Sequence, residues 1–327
     1  MGQNLPAKKY KAGERTARHL RFVFSVADSE AETYIDIAKA LSALNHRFYR
    51  QGLYYYVAKM TIHNSSNAWV SATVVPDTWM TKQAWIRGFR VWQKMQSRAV
   101  DAGGFQGAVG PYRDFKVAMD GSHTFSSSEL PTYSSISPND LVCDEWVQTT
   151  LVSDDPDNTI HDPNEDPHEV DTFLLHMVGP HNGANEDWTS VGLIASLMST
   201  REVPATNAPV AASDMVTDPI TNMFDAGDSH DDVIGLMNTE GDKPPYDADQ
   251  LVGSLDDDDS LVVAQCATGG SGSGTVGVAT GFCAPFGLIK IITDESPDDA
   301  GSTIGSIEVN LELVPGSYHG VYAERVI

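Results

Sequence analysis

Positive charge is scarce in this chain, and its absences are as informative as its placement. Of 21 lysines and arginines in 327 residues, four lie beyond residue 116, where 37 of the 45 acids are found. Residues 1–116 carry a net +9 and residues 117–327 a net −33, within a total of −24. Such a split bears on partners and solubility rather than fold: one surface tolerates a polyanion and another repels it. Cysteine is scarce too. Cys143, Cys266 and Cys283 have no Cys-x-x-Cys spacing, so neither a disulfide framework nor a zinc knuckle is indicated, and they read as buried thiols. No segment reaches the roughly 18 continuous apolar residues that cross a bilayer, and "RFVFSVA" is too short, and follows too many charges, for a secretory signal. A membrane is therefore not an expected partner.

Catalytic signatures are missing as well. The run "ATGGSGSGTVG" has no Lys-Ser/Thr after its glycines to reach a terminal phosphate, and neither Ser271 nor Ser273 centres a Gly-x-Ser-x-Gly elbow, so it reads as a hairpin or surface loop. "SDDPDNTIHDPNEDPHEVD" crowds acids and His161 and His168 together without the glycine and glutamate spacing of an EF-hand; it reads as a solvated loop, with calcium as the alternative. "SLDDDDSLV", with Asp256 to Asp259, reads the same way. His176 lies in an apolar strand and reads as a hydrogen-bonded core residue. Nothing selects a Ser-His-Asp set or a pair among the acids, so no catalytic residue, no metal ligand and no cofactor is nominated.

What is present is period-two alternation. "HLRFVFSVA" sets Leu20, Phe22, Phe24 and Val26 on one face, and "SIEVNLELV" sets Ile307, Val309, Leu311 and Leu313 opposite Glu308, Asn310 and Glu312. Further strands are predicted at 53–62, 68–75, 112–119, 145–152, 169–178, 260–268 and 286–293, with "SVGLIASLM" (190–198) as a tenth. That number indicates a mainly β chain, an antiparallel β-sandwich of the single jelly-roll type with inserted helices and long loops. Helices are predicted in "ETYIDIAKALSALNHR", in "TWMTKQAWIRGFRVWQKMQSRA" with a cap at Asp77 or Thr78 and a stop at Gly103 and Gly104, and in "SHDDVIGLMN" (229–238). Long polar connections are expected at 120–139, 153–168, 200–219 and 239–259. The chain divides into a basic arm, 1–18, and one domain, 19–327.

Two basic clusters are candidate nucleic-acid contacts. The first is Lys8, Lys9, Lys11, Arg15, Arg18 and Arg21, set against the single acid Glu14. The second is Arg87, Arg90, Lys94 and Arg98, which share one face of the second helix while Trp85, Phe89 and Trp92 share the core face. Six arm contacts to a single strand would give a slope of log K against log salt of roughly −4, at about 0.7 per contact.

Four stretches, "YIDIAKALSALNHRFYRQGLYYYVAKMTI", "DPITNMFDAGDSHDDVIGLMNTEGDKPPYD", "GFCAPFGLIKI" and "LELVPGSYHGVYAE", resemble the capsid proteins of uncultured, environmental, marine-type circular Rep-encoding single-stranded DNA viruses. The likeness runs from about residue 20 onward. It implies a jelly-roll coat protein of the virion that self-assembles icosahedrally around a single-stranded DNA genome, bound without sequence specificity, its basic segment inward and its acidic loops outward. The arm departs from the family, where a longer arginine-rich arm is common, so the 87–98 face is expected to assist. The rival is an extracellular carbohydrate- or surface-binding sandwich with a calcium loop near 154–169, which gives no reason for a basic arm. A carboxylate hydrolase is a third reading, resting only on the range of functions that sandwiches host.

Overall fold

Residues alternating between water and an apolar interior build most of this molecule, and the first and last long strands lie side by side. The computed structural model describes residues 16–26, 30–64, 68–104, 110, 112–126, 129–132, 145–154, 170–184, 187–199, 260–268, 275–295 and 305–326. In chain order these hold β1 (His19–Val26), β2 (Glu30–Asp36), α1 (Ile37–Asn45), β3 (Leu53–Asn64), β4 (Ala68–Val74) and α2 (Trp79–Gly103). Then come β5 (Thr150–Asp154), β6 (Val170–His176), β7 (Asn182–Ala184), β8 (Asp187–Gly192) and α3 (Leu193–Ser199). The series closes with β9 (Leu261–Thr268), β10 (Thr275–Pro285), β11 (Leu288–Glu295), β12 (Gly305–Leu313), β13 (Pro315–Tyr318) and β14 (Ala323–Arg325).

Sheet A has the order β1-β12-β3-β10, with β14 joining β3 beyond the end of β12, and sheet B the order β2-β11-β4-β9. Every pairing in them is antiparallel. The pairs are nested: β1 with β12, β2 with β11, β3 with β10 and β4 with β9. A strip of four nested pairs wrapped into two sheets is an eight-stranded jelly roll. Its interior is the apolar face of each strand, including Phe22, Phe24, Met60, Ile62, Val70, Ile289, Ile291, Val309 and Leu311. The outer face of sheet A is open to solvent, mixing Lys59, His63 and Glu312 with exposed Val23, Val276 and Val278.

Nesting also sorts the connections by end. One end gathers the start of β1, the turn into α1, the start of β3, the end of β4, the start of β9, the β10–β11 turn and the end of β12. We call this the helical end. The connections at the opposite end, 27–29, 65–67, 269–274 and 296–304, lie outside the described residues. The β10–β11 turn puts Phe286 and Gly287 at φ 59° and 73°. A bulky residue rarely tolerates this conformation, and Phe286 is held there by its ring, fully buried against Trp85 at 5.9 Å.

Between β4 and β9 the chain inserts a second layer. Its sheet runs β5-β6-β8-β7, with β6 and β8 parallel. Its own core joins Trp85, Trp92, Phe115, Met177 and Ile194 to Leu288 and Tyr34 on the outer side of sheet B. At Gly88 a Cβ would stand 2.9 Å from Leu193 Cδ2, so glycine lets α3 approach α2. His176 is fully buried, bonded to Ser190 Oγ at 2.7 Å and the Pro180 carbonyl at 2.9 Å, and burial pushes its pKa down.

Several sequence expectations are corrected. The helix expected across 32–47 is half strand: Glu30–Asp36 pairs with β11, and Asp36 then caps α1 through Ala38 N and Lys39 N at 2.9 and 3.1 Å. Residues 190–198 divide between β8 and α3, and 112–117 run extended without a ladder, held by Gln51 and Thr149. Of the two readings of the glycine run, hairpin or surface loop, the flanking strands do not form the ladder of a hairpin, because β9 and β10 belong to different sheets; residues 269–274 lie outside the described residues. Cys283 is a half-buried free thiol whose pKa burial pushes to about 11, while Cys143 lies outside the described residues. The helix expected at 229–238 and the connections 155–168, 200–219 and 239–259 also lie outside them.

The sharpest correction falls on 120–139. Its described part, expected as a long polar connection, is a largely buried ionic latch. Lys39 and Glu129, 4% and 1% exposed, pair at 2.8 Å, and Lys39 also donates to the Ser126 carbonyl at 2.6 Å. His123 Nδ1 accepts from Met119 N–H, so Nε2 carries the proton and donates to Glu129 Oε1 at 3.0 Å. Lys290 Nζ donates to Glu32 and Asp120 at 2.7 and 3.1 Å. Burial alone would lower the Lys290 pKa, but these two carboxylates outweigh it and raise it. Asp36 is pushed up to about 6 by burial, with the nearby Glu129 adding to the rise and the Lys39 N–H opposing it; Gln51 Nε2 and Trp146 Nε1 also donate to its carboxylate, at 3.2 and 3.0 Å.

Removing one partner of such a pair strands the other charge in a low dielectric. Glu129→Ala is expected to lower unfolding free energy by about 3–5 kcal/mol. Adding Lys39→Met should recover a large part of that loss, as read by urea unfolding.

Candidate nucleic-acid interface

Helix α2 is 25 residues long because little in it opposes helix: no proline, one glycine in its interior, Gly88, and Thr78 at its start accepting from Thr81 N at 3.2 Å. It ends at Gly104, φ 66°, so Thr78 rather than Asp77 is the cap, while Asp77 pairs with Lys82 at 3.2 Å. Ala84, Trp85, Gly88 and Trp92 turn inward. Arg87, Arg90, Lys94 and Arg98, at i, i+3, i+7 and i+11, turn outward and are all exposed. At 1.5 Å per residue the stripe is about 16 Å long. With Lys82 the helix holds five cations and one acid, Asp101. This cluster is gathered as the sequence predicts.

Of the arm cluster, Arg18 and Arg21 fall among the described residues. Lys8, Lys9, Lys11 and Arg15 lie outside the described residues. Arg18 stands at the start of β1, half exposed, its carbonyl accepting from Leu313 N at 3.0 Å. Arg21 is on the outer face of sheet A, bonded to Glu308 at 2.6 Å. That bond holds the Glu308 carboxyl down to about 2, and a phosphate at Arg21 would have to displace it. Arg21 therefore belongs to a different face from α2, which packs in the layer on sheet B.

The chain enters β1 at the helical end through a clamp. Ala17 and Asn45 exchange two hydrogen bonds, at 2.8 and 3.1 Å, and Thr16 Oγ1 donates to the His319 carbonyl at 2.7 Å. Directly after Asn45, His46 and Arg47 line a cleft of about 920 Å³ between α1, α2 and the extended segments around Tyr112 and Trp146. Phe48 is its hub: Tyr112 meets it edge-on at 5.8 Å and Trp146 lies 6.4 Å away. Trp92 forms the α2 wall, with the Arg113 guanidinium 5.4 Å over its ring and donating to Gln96 at 3.0 Å. Buried Lys116 stands 4.9 Å from Trp146 and 5.9 Å from Phe48. The acids of the lining are Asp114, which burial pushes up in pKa and whose Oδ2 has no hydrogen-bond partner, and exposed Glu145.

Sequence reasoning missed this cleft. Its signal was the interleaving of basic and aromatic residues in "HRFYR" (46–50) and "YRDFK" (112–116), read instead as a helix end and a strand. Among the described residues no three His, Cys, Asp or Glu converge to hold a metal, and no helix is long and apolar enough to cross a membrane. Both acid runs, 155–169 and 256–259, lie outside the described residues. No protein-family model, curated protein or solved structure matches the chain.

If the α2 stripe meets phosphates, Arg90→Gln with Lys94→Gln should flatten the slope of log K against log salt by about 1.4, at about 0.7 per lost contact. Fluorescence anisotropy of a thymidine 20-mer across a sodium chloride series measures it.

Proposed function

We propose that this chain is the coat protein of a single-stranded DNA virus: many copies self-assemble into an icosahedral shell around the genome, and the protein has no enzymatic activity. The observation that carries the reading is the location of its cations. The attachment of the basic arm and the start of the basic helix share one end of an eight-stranded jelly roll, an architecture that recurs in viral shells. Phosphate contacts from such surfaces are independent of base sequence, as packaging a whole genome requires. The four stretches that resemble coat proteins of circular single-stranded DNA viruses add support, and three of them fall wholly or partly on described elements, α1 to β3, β10 to β11 and β12 to β14. At −24 per chain, copies repel one another, so assembly should need salt to screen them.

Negative-stain microscopy of the purified full-length chain across salt, pH and calcium is the direct test. Closed shells above a threshold salt concentration are the expected result; a monomer under every condition would overturn the reading. Deleting residues 1–15, which leaves the Thr16–Ala17 clamp intact, should leave the fold unchanged and lower the co-purifying nucleic acid, seen as a falling 260 nm to 280 nm absorbance ratio.

A further inference from the structure

We propose that the cleft at the helical end is a docking site for unpaired nucleobases, so that the protein holds a single strand by its base faces as well as by its phosphates. This rests on the reading of the chain as a single-stranded DNA-binding coat protein, and it names what that DNA meets beside α2.

Tyr112 is 70% exposed, the highest exposure among the large hydrophobic side chains of the described residues. Its ring is fixed edge-on to Phe48, which leaves a π-face at the cleft's mouth with little packing of its own to do. Every base has a π-face, so stacking on such a platform accepts any sequence, as packaging requires. The cleft, at about 920 Å³, lies within the roughly 300–1,000 Å³ typical of small-ligand pockets, enough for a nucleotide. A base inside a duplex has both faces covered by its neighbours and cannot enter, so the site selects single strands.

The charges fit the same occupant. Arg113 is held by Gln96 and Trp92 at the wall, where its guanidinium is aligned for a phosphate or for stacking. Arg47 lines the cleft two residues after Asn45, the residue that holds the arm's clamp. Glu145, an exposed carboxylate of the lining, is an acceptor for the exocyclic amino group of adenine, cytosine or guanine. With Lys116 against Asp114 and Glu145, the lining has three cations to two carboxylates, a weak positive balance. Binding here should therefore depend more on stacking and less on salt than binding to the helix stripe does.

The test uses the full-length protein and fluorescence anisotropy with three probes of equal length: a thymidine 20-mer, an abasic 20-mer with the same phosphates, and a 20-base-pair duplex. The expected result is that the thymidine oligomer binds about ten-fold more tightly than the abasic one. Tyr112→Ala should abolish most of that ratio and Tyr112→Phe should keep it, with thermal unfolding unchanged in both because the side chain is exposed. Equal affinity for the thymidine and abasic oligomers overturns the base site while leaving phosphate binding by α2 standing. A Tyr112→Ala variant that keeps the ten-fold ratio, or that weakens both oligomers alike, overturns it too. If no probe binds at any salt, the nucleic-acid reading itself falls and the base site with it.

Discussion

Two lysines that have lost their water, Lys39 and Lys290, set the terms for the rest of the structure. Lys39 belongs to the jelly roll's first helix and Lys290 to sheet B; Glu129, which neutralises the first, and Asp120, which shares the second with Glu32 of β2, come from the layer inserted between β4 and β9. Apolar contact between the layers would tolerate sliding, because it has no direction. Buried charges do not, since an ammonium in a low dielectric must keep its carboxylate within hydrogen-bond reach. The latch therefore fixes where the inserted layer sits. The same fixing reaches the cleft: Trp146 donates to Asp36, and Gln51 bonds both Asp36 and the backbone of Val117, next to Lys116.

Nested strand pairing explains why residues so far apart in sequence meet. When the first strand pairs with the last, the entry to β1 and the exit of β12 must share an end, and the turns into α1 and α2 share it too. Ala17 meets Asn45 at that end, and Trp92, Tyr112 and Trp146 meet around the cleft, by topology and not by local sequence. Sheet A, by contrast, presents a wet outer face on which Arg21 is already neutralised.

Strands were legible from the order of apolar and polar residues, because alternation has a period no helix shares; β1, β3, β4, β6, β9, β11 and β12 lie where the sequence puts them. The basic stripe on α2 was legible for the same reason, at period 3.6. Residues 30–36 were not: Tyr34, Ile37 and Leu41 repeat at helical spacing, and only pairing with β11, some 250 residues later, makes the first half a strand. Residues 120–130 misled more deeply. Asp120, His123, Ser126 and Glu129 look like solvated loop chemistry, and nothing local reveals that their partners are Tyr34, Lys39 and Lys290. The cleft was hidden likewise, since its walls come from four separate segments.

The clamp at Thr16 and Ala17 turns the basic arm into a leash. Lys8, Lys9, Lys11 and Arg15 precede it by at most eight residues, so at no more than about 3.6 Å each they lie within about 30 Å of that anchor. Their charge is thus tethered by covalent geometry alone to the end of the molecule where α2 begins.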